Sequence, residues 1–328
     1  MFKPSEVMIL VLIISALLLV SACQGVSQSK KAKAGSAERN QTNPPTYDVY
    51  LPPTKLADME DQAITESSGL VASRTSPGSY WTHNDAGNGP LLYSFDSQGR
   101  SQGVWRVTGA TNYDWEDLST GPGPKPGTNY LYIGDIGDNE GIRSEIVIYR
   151  IPEPVIPNGV PKSSPVSTAQ RPNATETAEA IRLRYPDGSH DSEALLVHPR
   201  TGRIYLIVKE KSAKPGIYAA DAPTVSGEVV ALARIGEVDL SGRSEGLING
   251  GAISPDGQRA ALSDYTQGYE FVLPDANAPF DSIWKQPMRT VDLGKRKHGE
   301  TICYRLDGKA LLATSERLPA PLIEIVRR

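Results

Sequence analysis

The sequence predicts an all-β fold, a single β-propeller, and three observations carry that expectation. The chain of 328 residues holds 30 Gly and 26 Pro, and no long window has a helical period. Short β-rich runs recur between turn signals from residue 47 onward. Equivalent turn residues return at one place in successive units, as His198-Pro199-Arg200-Thr201-Gly202, Pro255-Asp256-Gly257 and Asp307-Gly308.

The units follow in order. The first holds runs at 66–71, 79–85, 91–95 and 104–107; the second at 116–118, 130–135, 145–149 and 180–184. The third has 193–197, 204–208, 216–218 and 231–240, and the fourth 249–254, 259–264, 269–273 and 288–293. The fifth supplies only three runs, at 300–304, 310–314 and 322–326. Residues 47–51 form an unassigned β-like segment. They are expected to pair with 322–326 as the missing outer strand, because a closed ring leaves no open sheet edge. The count is five four-stranded blades. Six is the rival count, since the loops after Tyr149 and Leu273 are long enough to hold another.

Ahead of the propeller the chain is of another kind. Lys3 is followed by residues 7–20, apolar except for Ser15. That run is short of the ~20 residues that span a bilayer and matches the apolar core of a secretory signal. It closes on Val20-Ser21-Ala22-Cys23, which resembles the lipobox of bacterial lipoproteins. The resemblance implies a signal peptide over 1–22 and acyl chains, palmitate among them, on Cys23. Two or three chains make a stable anchor where one is marginal. Residues 23–46 are polar with no apolar period and read as a tether spanning on the order of 25 Å. The folded domain is 47–328. The location this implies is the cell envelope: the outer membrane facing the periplasm where the host has one, otherwise the outer face of the cell membrane. With Cys23 acylated, Cys303 has no partner, and its apolar surroundings mark it as a buried small hydrophobe. A net charge of −4 argues against nucleic acid as a partner, and the expected state is a monomer.

Function is expected where the strands converge. Counting six residues back from the turn gives Glu193, Asn249 and Glu300, and the same offset is expected to give Glu116 in the second unit and Glu66 in the first. In a propeller these residues open the innermost strand at one end of the channel. The second strand runs antiparallel, so its end returns to that face. Those ends carry His83-Asn84-Asp85, Asp135, Lys209, Asp264 and Glu316-Arg317, and the second unit adds Asp114, Asp117, Asp138 and Asn139. So many oxygen donors select Ca²⁺, or Mg²⁺, over softer ions. The metal candidates are Glu66, Glu116, Asp135, Glu193, Asn249 and Glu300. Mutual repulsion among carboxylates requires a counter-charge, from Lys209, Arg317, Arg243 or a cation. Asp85, Asp114, Lys209 and Arg317 are the candidate ligand-binding residues.

The strings His83-Asn84-Asp85-Ala86-Gly87, Asp114-Trp115-Glu116-Asp117-Leu118 and Gly134-Asp135-Ile136-Gly137-Asp138-Asn139 resemble a group of secreted bacterial β-propellers of largely unassigned function. More distantly the chain is similar to phytase-like and calcium-dependent lactonase propellers. The resemblance covers most of 60–328, is strongest over 66–154 and in Asp191-Ser192-Glu193-Ala194-Leu195, and weakens after Gln267. It implies a propeller with a metal at the channel mouth. The lactonase relatives surround calcium with Glu, Asn and Asp, parts that Glu66, Asn249 and several aspartates offer here.

Two functions compete. One is a binding module holding a small molecule, a glycan or an envelope protein at its mouth. The other is a metal-dependent hydrolase of a phosphoester or lactone, with His83, His190 or His298 as general base. No Gly-x-Ser-x-Gly elbow, His-Glu-x-x-His or phosphate-cradling glycine loop is present. A pocket at the mouth with a histidine among the carboxylates favours the hydrolase; a plugged mouth favours the binding module.

Overall fold

A computed structural model describes residues 49–157, 167–221, 227–243 and 246–328. The expected signal peptide and tether, Cys23, and Tyr47 and Asp48 lie outside the described residues. Five sheets form five blades. Blade I contains β2 (Ser67–Ala72), β3 (Ser79–Asn84), β4 (Leu91–Asp96) and β5 (Ser101–Thr108). Blade II contains β6 (Trp115–Gly121), β7 (Tyr130–Asp135), β8 (Ile146–Pro152) and β10 (Glu179–Arg184). Blade III contains β11 (Ser192–Val197), β12 (Ile204–Val208), β13 (Gly216–Ala220) and β15 (Ala233–Glu237). Blade IV contains β16 (Ile248–Ile253), β17 (Arg259–Asp264), β18 (Gln267–Val272) and β19 (Arg289–Asp292). Blade V contains β20 (His298–Tyr304), β21 (Ala310–Glu316) and β22 (Pro321–Val326), completed by β1 (Thr54–Asp58).

The N-terminal strand closes the ring as expected, but at a different place. The regular pairing with β22 runs over Thr54–Asp58, while Tyr50 only bridges Arg327 and Leu51 N–H donates to the Val326 carbonyl at 2.8 Å. Pro52 and Pro53 separate the two contacts, because neither offers an N–H to a ladder. Among the described residues no sixth blade fills the loops after Tyr149 and Leu273. The first contains β9 (Asn173–Thr177), and the second contains a 3-10 turn at Phe280–Lys285. β9 lies parallel to β5 as a fifth strand of blade I, then runs directly into β10 of blade II. β14 (Val229–Ala231) repeats the device: it lies parallel to β10, and the chain continues into β15 of blade III. Each passing segment ties the outer edge of one blade to the next.

Alternation along the inner strands sends apolar side chains to both faces of each blade, so the core lies between blades. Five buried clusters result, one at each blade-to-blade interface. Cys303 is one member, buried between blades V and I. The first and last described segments meet at Glu270 of β18, which is wholly buried. It accepts hydrogen bonds from Tyr50 (2.6 Å), Tyr304 (3.1 Å) and Arg327 (2.9 Å). Blade IV thereby holds both the first described strand segment and the last.

Candidate functional site

Every inner strand carries a β-bulge near its start. The irregularity falls between Ser67 and Leu70, Trp115 and Asp117, Ser192 and Ala194, Ile248 and Gly250, and Gly299 and Ile302. A bulge re-aims the extra residue out of the ladder. The residues so turned are Ser68, Glu116, Glu193, Asn249 and Glu300. Four of these are the ones the six-residue count gives, and the fifth corrects it: blade I presents Ser68 at this level, not Glu66. The first unit lacks the turn string that fixes the count in the third, fourth and fifth, whereas the leucine two residues past the bulge, as in Leu70, Leu118 and Leu195, marks the register. Glu66 lies two residues earlier, is exposed, and accepts a hydrogen bond from Asn88 at 2.7 Å.

Two further positions of each blade share the mouth. Two residues before the bulge stand Glu66, Asp114, Asp191, Leu247 and His298. At the end of the second strand or directly after it stand Asp85, Ile136, Lys209, Tyr265 and Glu316, of which Ile136 is buried in the apolar cluster between blades II and III. Three groups of carboxylates and histidine result, each with ligand atoms within 4.8 Å of one another: Asp85–Asp114–Glu116, Glu116–Asp191–Glu193 and His298–Glu300–Glu316. These acidic groups are positioned to hold a metal ion. The backbone crowds the first of them. A Cβ on Gly137 would lie 2.2 Å from Glu116 Oε1 and 2.4 Å from Asp114 Oδ2, so the second glycine of the Gly-Asp-Ile-Gly-Asp-Asn string is dictated by close approach.

The electrostatics follow from crowding and burial. Burial first, then the charges of Asp85 and Asp191, push Asp114 up to about 6. Burial followed by Glu193 and Asp85 pushes Glu116 well above the usual carboxylate range. Glu300 is raised in the same way, by burial and then by Glu193 and Glu316. Glu193 makes an ion pair with Lys209; burial opposes the ammonium charge, but the pairing outweighs it and holds Lys209 above its ordinary value. Among the described residues no hydrogen-bond donor reaches the carboxylates of Asp114, Glu116 or Glu300, although these residues are only 9%, 4% and 5% exposed.

Other candidates are placed elsewhere. Asp135 is pinned by Arg143 at 2.9 Å and by the N–H groups of Tyr113 and Asp114. Asp138 caps the N–H groups of Ile142 and Arg143, and Asp264 is saturated by Thr266, Gln267 and Tyr269. Asn249 donates to the Gly299 carbonyl at 2.6 Å, leaving its buried Oδ1 without a partner. Arg317 and Arg243 are exposed. His83 is fully buried, edge-on to Trp115, and burial pushes it down to about 4; it does not reach the mouth. His190 is held by Asp187 and Tyr218, at 2.9 Å each, and belongs to none of the three groups. His298 does reach the mouth, with Nε2 at 3.6 Å from Glu300.

Sequence reasoning grouped Asp117 with the mouth, and the structure places it one level deeper. The equivalent residues of the other blades are Gly69, Ala194, Gly250 and Thr301, all small. The Asp117 carboxylate fills the space they leave and plugs the channel. Oδ1 accepts from Leu118 N–H (2.8 Å) and the Thr301 hydroxyl (3.1 Å). Oδ2 accepts from the N–H groups of Leu195 (2.9 Å) and Gly251 (3.1 Å). One side chain of blade II thus binds the inner strands of blades III, IV and V. The signal for it was present in the sequence: an acidic residue at a position where the other repeats have Gly, Ala or Thr.

No protein-family model and no curated protein matches this chain. Among solved structures it is similar to hydrazine synthase from Kuenenia stuttgartiensis, at 11% identity over 80% of this chain and 71% of that one, with a TM-score of 0.41. A chain of a nidogen/laminin complex gives 10% identity, 76% and 71% coverage, and a TM-score of 0.40. Neither likeness informs the chemistry of the mouth.

Proposed function

We propose that this protein is an envelope lipoprotein, anchored through Cys23, whose propeller binds a divalent cation at Glu116 and uses it to hold an oxygen-rich ligand. The ligand is a small molecule, a glycan or an envelope protein. The observation that carries the reading is a pair of adjoining, largely buried carboxylates, Asp114 and Glu116, that no hydrogen-bond donor reaches among the described residues. Buried charge of one sign requires a partner. Asp85, Asp191 and Glu193 join them in two groups that share Glu116. A set made only of carboxylates suits Ca²⁺ first and Mg²⁺ second. The Asp117 carboxylate ties the inner strands together directly below, and a plugged channel favours binding over catalysis.

A second reading rests on His298. Burial and the charges of Arg317 and Lys209 lower its pKa, so the imidazole is neutral at pH 7 and able to take a proton beside Glu300. That is what a metal-dependent hydrolase of a phosphoester or lactone requires. Metal analysis of the purified protein with calorimetric Ca²⁺ titration tests the first reading. Metal-free protein that takes up neither Ca²⁺ nor Mg²⁺ removes it. A phosphatase, lactonase and esterase panel with the metal-loaded protein tests the second, and no turnover on any substrate removes that one.

A further inference from the structure

His298 and Glu316 are cross-strand partners at the end of the β20–β21 pair, and Glu300 follows His298 by two residues. Alternation puts residues i and i+2 on one face, and the bulge at Glu300 turns its carboxylate toward the channel. Three side chains from one hairpin therefore converge, with His298 Nε2 at 3.6 Å from Glu300 and Nδ1 at 3.9 Å from Glu316.

We propose that this triad is a second cation centre of different chemistry: a mixed nitrogen–oxygen site for a first-row transition ion, with Zn²⁺ foremost. Imidazole favours Zn²⁺ and its neighbours over Ca²⁺, so the nitrogen donor separates this site from the all-carboxylate one around Glu116. The ligand atoms already lie within 4.8 Å of each other. Bonds of about 2.0–2.2 Å to the ion require them to close by only about 1 Å. A second observation points the same way. Glu300 is 5% exposed, and its carboxylate receives no hydrogen bond among the described residues. Arg296 lies beneath it but gives its N–H groups to the backbone carbonyls of Glu300, Thr314 and Asp264 instead.

The site is also held in place. The Ser315 hydroxyl accepts from His298 N–H at 2.9 Å and donates to the His298 carbonyl at 2.7 Å. The edge of the Tyr265 ring packs on the imidazole with 4.5 Å between centroids. Lys209, paired with Glu193 of the all-carboxylate centre, has an ammonium charge that acts on both Glu300 and Asp85. Three protein ligands leave a fourth position of a tetrahedral ion open to the mouth.

The test is Zn²⁺ calorimetry together with the visible absorption of bound Co²⁺, on the full-length protein carrying Cys23→Ser so that no accessible thiol competes. One Zn²⁺ should bind. His298→Ala should weaken it at least ~10-fold, a conservative bound for removing a ligand, and Glu316→Gln should weaken it in the same direction. Both positions are partly exposed, so both variants should fold. Glu116→Gln should leave Zn²⁺ binding and the Co²⁺ spectrum intact, and His298→Ala should leave the Ca²⁺ titration intact. The proposal is overturned by the absence of Zn²⁺ binding, by unchanged Zn²⁺ affinity in both blade V variants, or by loss of Zn²⁺ in Glu116→Gln. Ca²⁺ binding is read separately, so either centre can fail alone.

Discussion

Replacing Asp117 by Asn separates the channel plug from the mouth above it. Asn has nearly the same shape, but one oxygen becomes an NH₂. Placed at Oδ1 it meets the Leu118 N–H at 2.8 Å; placed at Oδ2 it meets Leu195 at 2.9 Å and Gly251 at 3.1 Å. Either way one or two buried N–H groups lose their acceptor and face another donor. Each such loss costs ~1–3 kcal/mol, so the best orientation, which strands one N–H, is worse than wild type by about 1–3 kcal/mol. At ~2–4 °C per kcal/mol for a domain of this class, the melting temperature should fall by roughly 2–12 °C. Thermal melts by circular dichroism measure it, with Asp117→Ala expected to fall further because all four donors lose their acceptor. Glu116→Gln is the control one residue away. No donor serves Glu116, so this change should leave the metal-free melt unchanged or raise it. A melt of Asp117→Asn within ~2 °C of wild type would refute the plug. Burial pushes this carboxyl up to about 8 against the pull of its four donors, so the penalty should be largest above that pH, where both oxygens only accept.

The remaining predictions concern the mouth, the ring and the anchor. Chelator should lower the melting temperature and Ca²⁺ restore it, because an ion bound only by the native state adds about 2.7 kcal/mol at a hundredfold excess over Kd; Glu116→Gln and Glu193→Gln should blunt the response, and a melt indifferent to chelator counts against the ion. Asp114 and Glu116 have raised pKa values, Asp114 at about 6, so the metal-free native state holds protons that the unfolded chain has released. Its stability should therefore fall as pH rises from about 4 through 6 and beyond, while the gain from Ca²⁺ grows; melts at pH 5 to 8 with and without Ca²⁺ should diverge toward alkaline pH, and a constant gap would contradict the assignment. Tyr50→Phe should cost about 1–2 kcal/mol and Glu270→Gln about 3 kcal/mol in denaturant unfolding. Because both act on one network, the double variant should cost less than the sum, and strict additivity would dissolve the latch. Cys23→Ser should move the protein from the membrane to the soluble or uncleaved fraction, and continued membrane association after signal cleavage would sink the anchor.

Blade number and closure were legible because repetition multiplies weak signals: five inner strands share one turn register. The parallel outer strands β9 and β14 were not. Asn173–Thr177 and Val229–Ala231 are short and at most half-buried, so they lack the alternation that marks a strand with one face in a core. Their pairing is decided by the edges of β5 and β10, which lie far away in sequence. At the mouth, Glu116, Glu193, Asn249 and Glu300 were readable from spacing alone, since the bulge sits at a fixed distance before the turn. Ser68 was missed because Glu66 is the more conspicuous residue. His83 and Asp135 fall at strand ends, but the structure spends them on packing and on loop anchoring, a choice set by side chains in other strands.

The buried carboxylates provide an internal comparison. Glu153 accepts from Ser73, Arg74, Thr75 and Trp81, with five contacts at 2.5–3.2 Å. Glu270 and Asp264 are equally well served, and Asp117 has its four donors. Where this fold uses a buried acid for stability, it surrounds the acid with donors. Asp114, Glu116 and Glu300 have residue burial of the same order, but their oxygens open on the mouth and receive no hydrogen-bond donor among the described residues. Gln, Asn or Ser at those positions would remove the repulsion without changing the backbone, and blade I already has Ser68 at the equivalent place, its hydroxyl bonded to the Glu116 carbonyl at 2.5 Å. A stability role alone gives no reason to keep three undonated carboxylates at one end of the channel, each raised by burial. A cation does, because it converts their mutual repulsion into ligation, and it requires what hydrogen-bond donors would obstruct: oxygens left free to turn toward a common point.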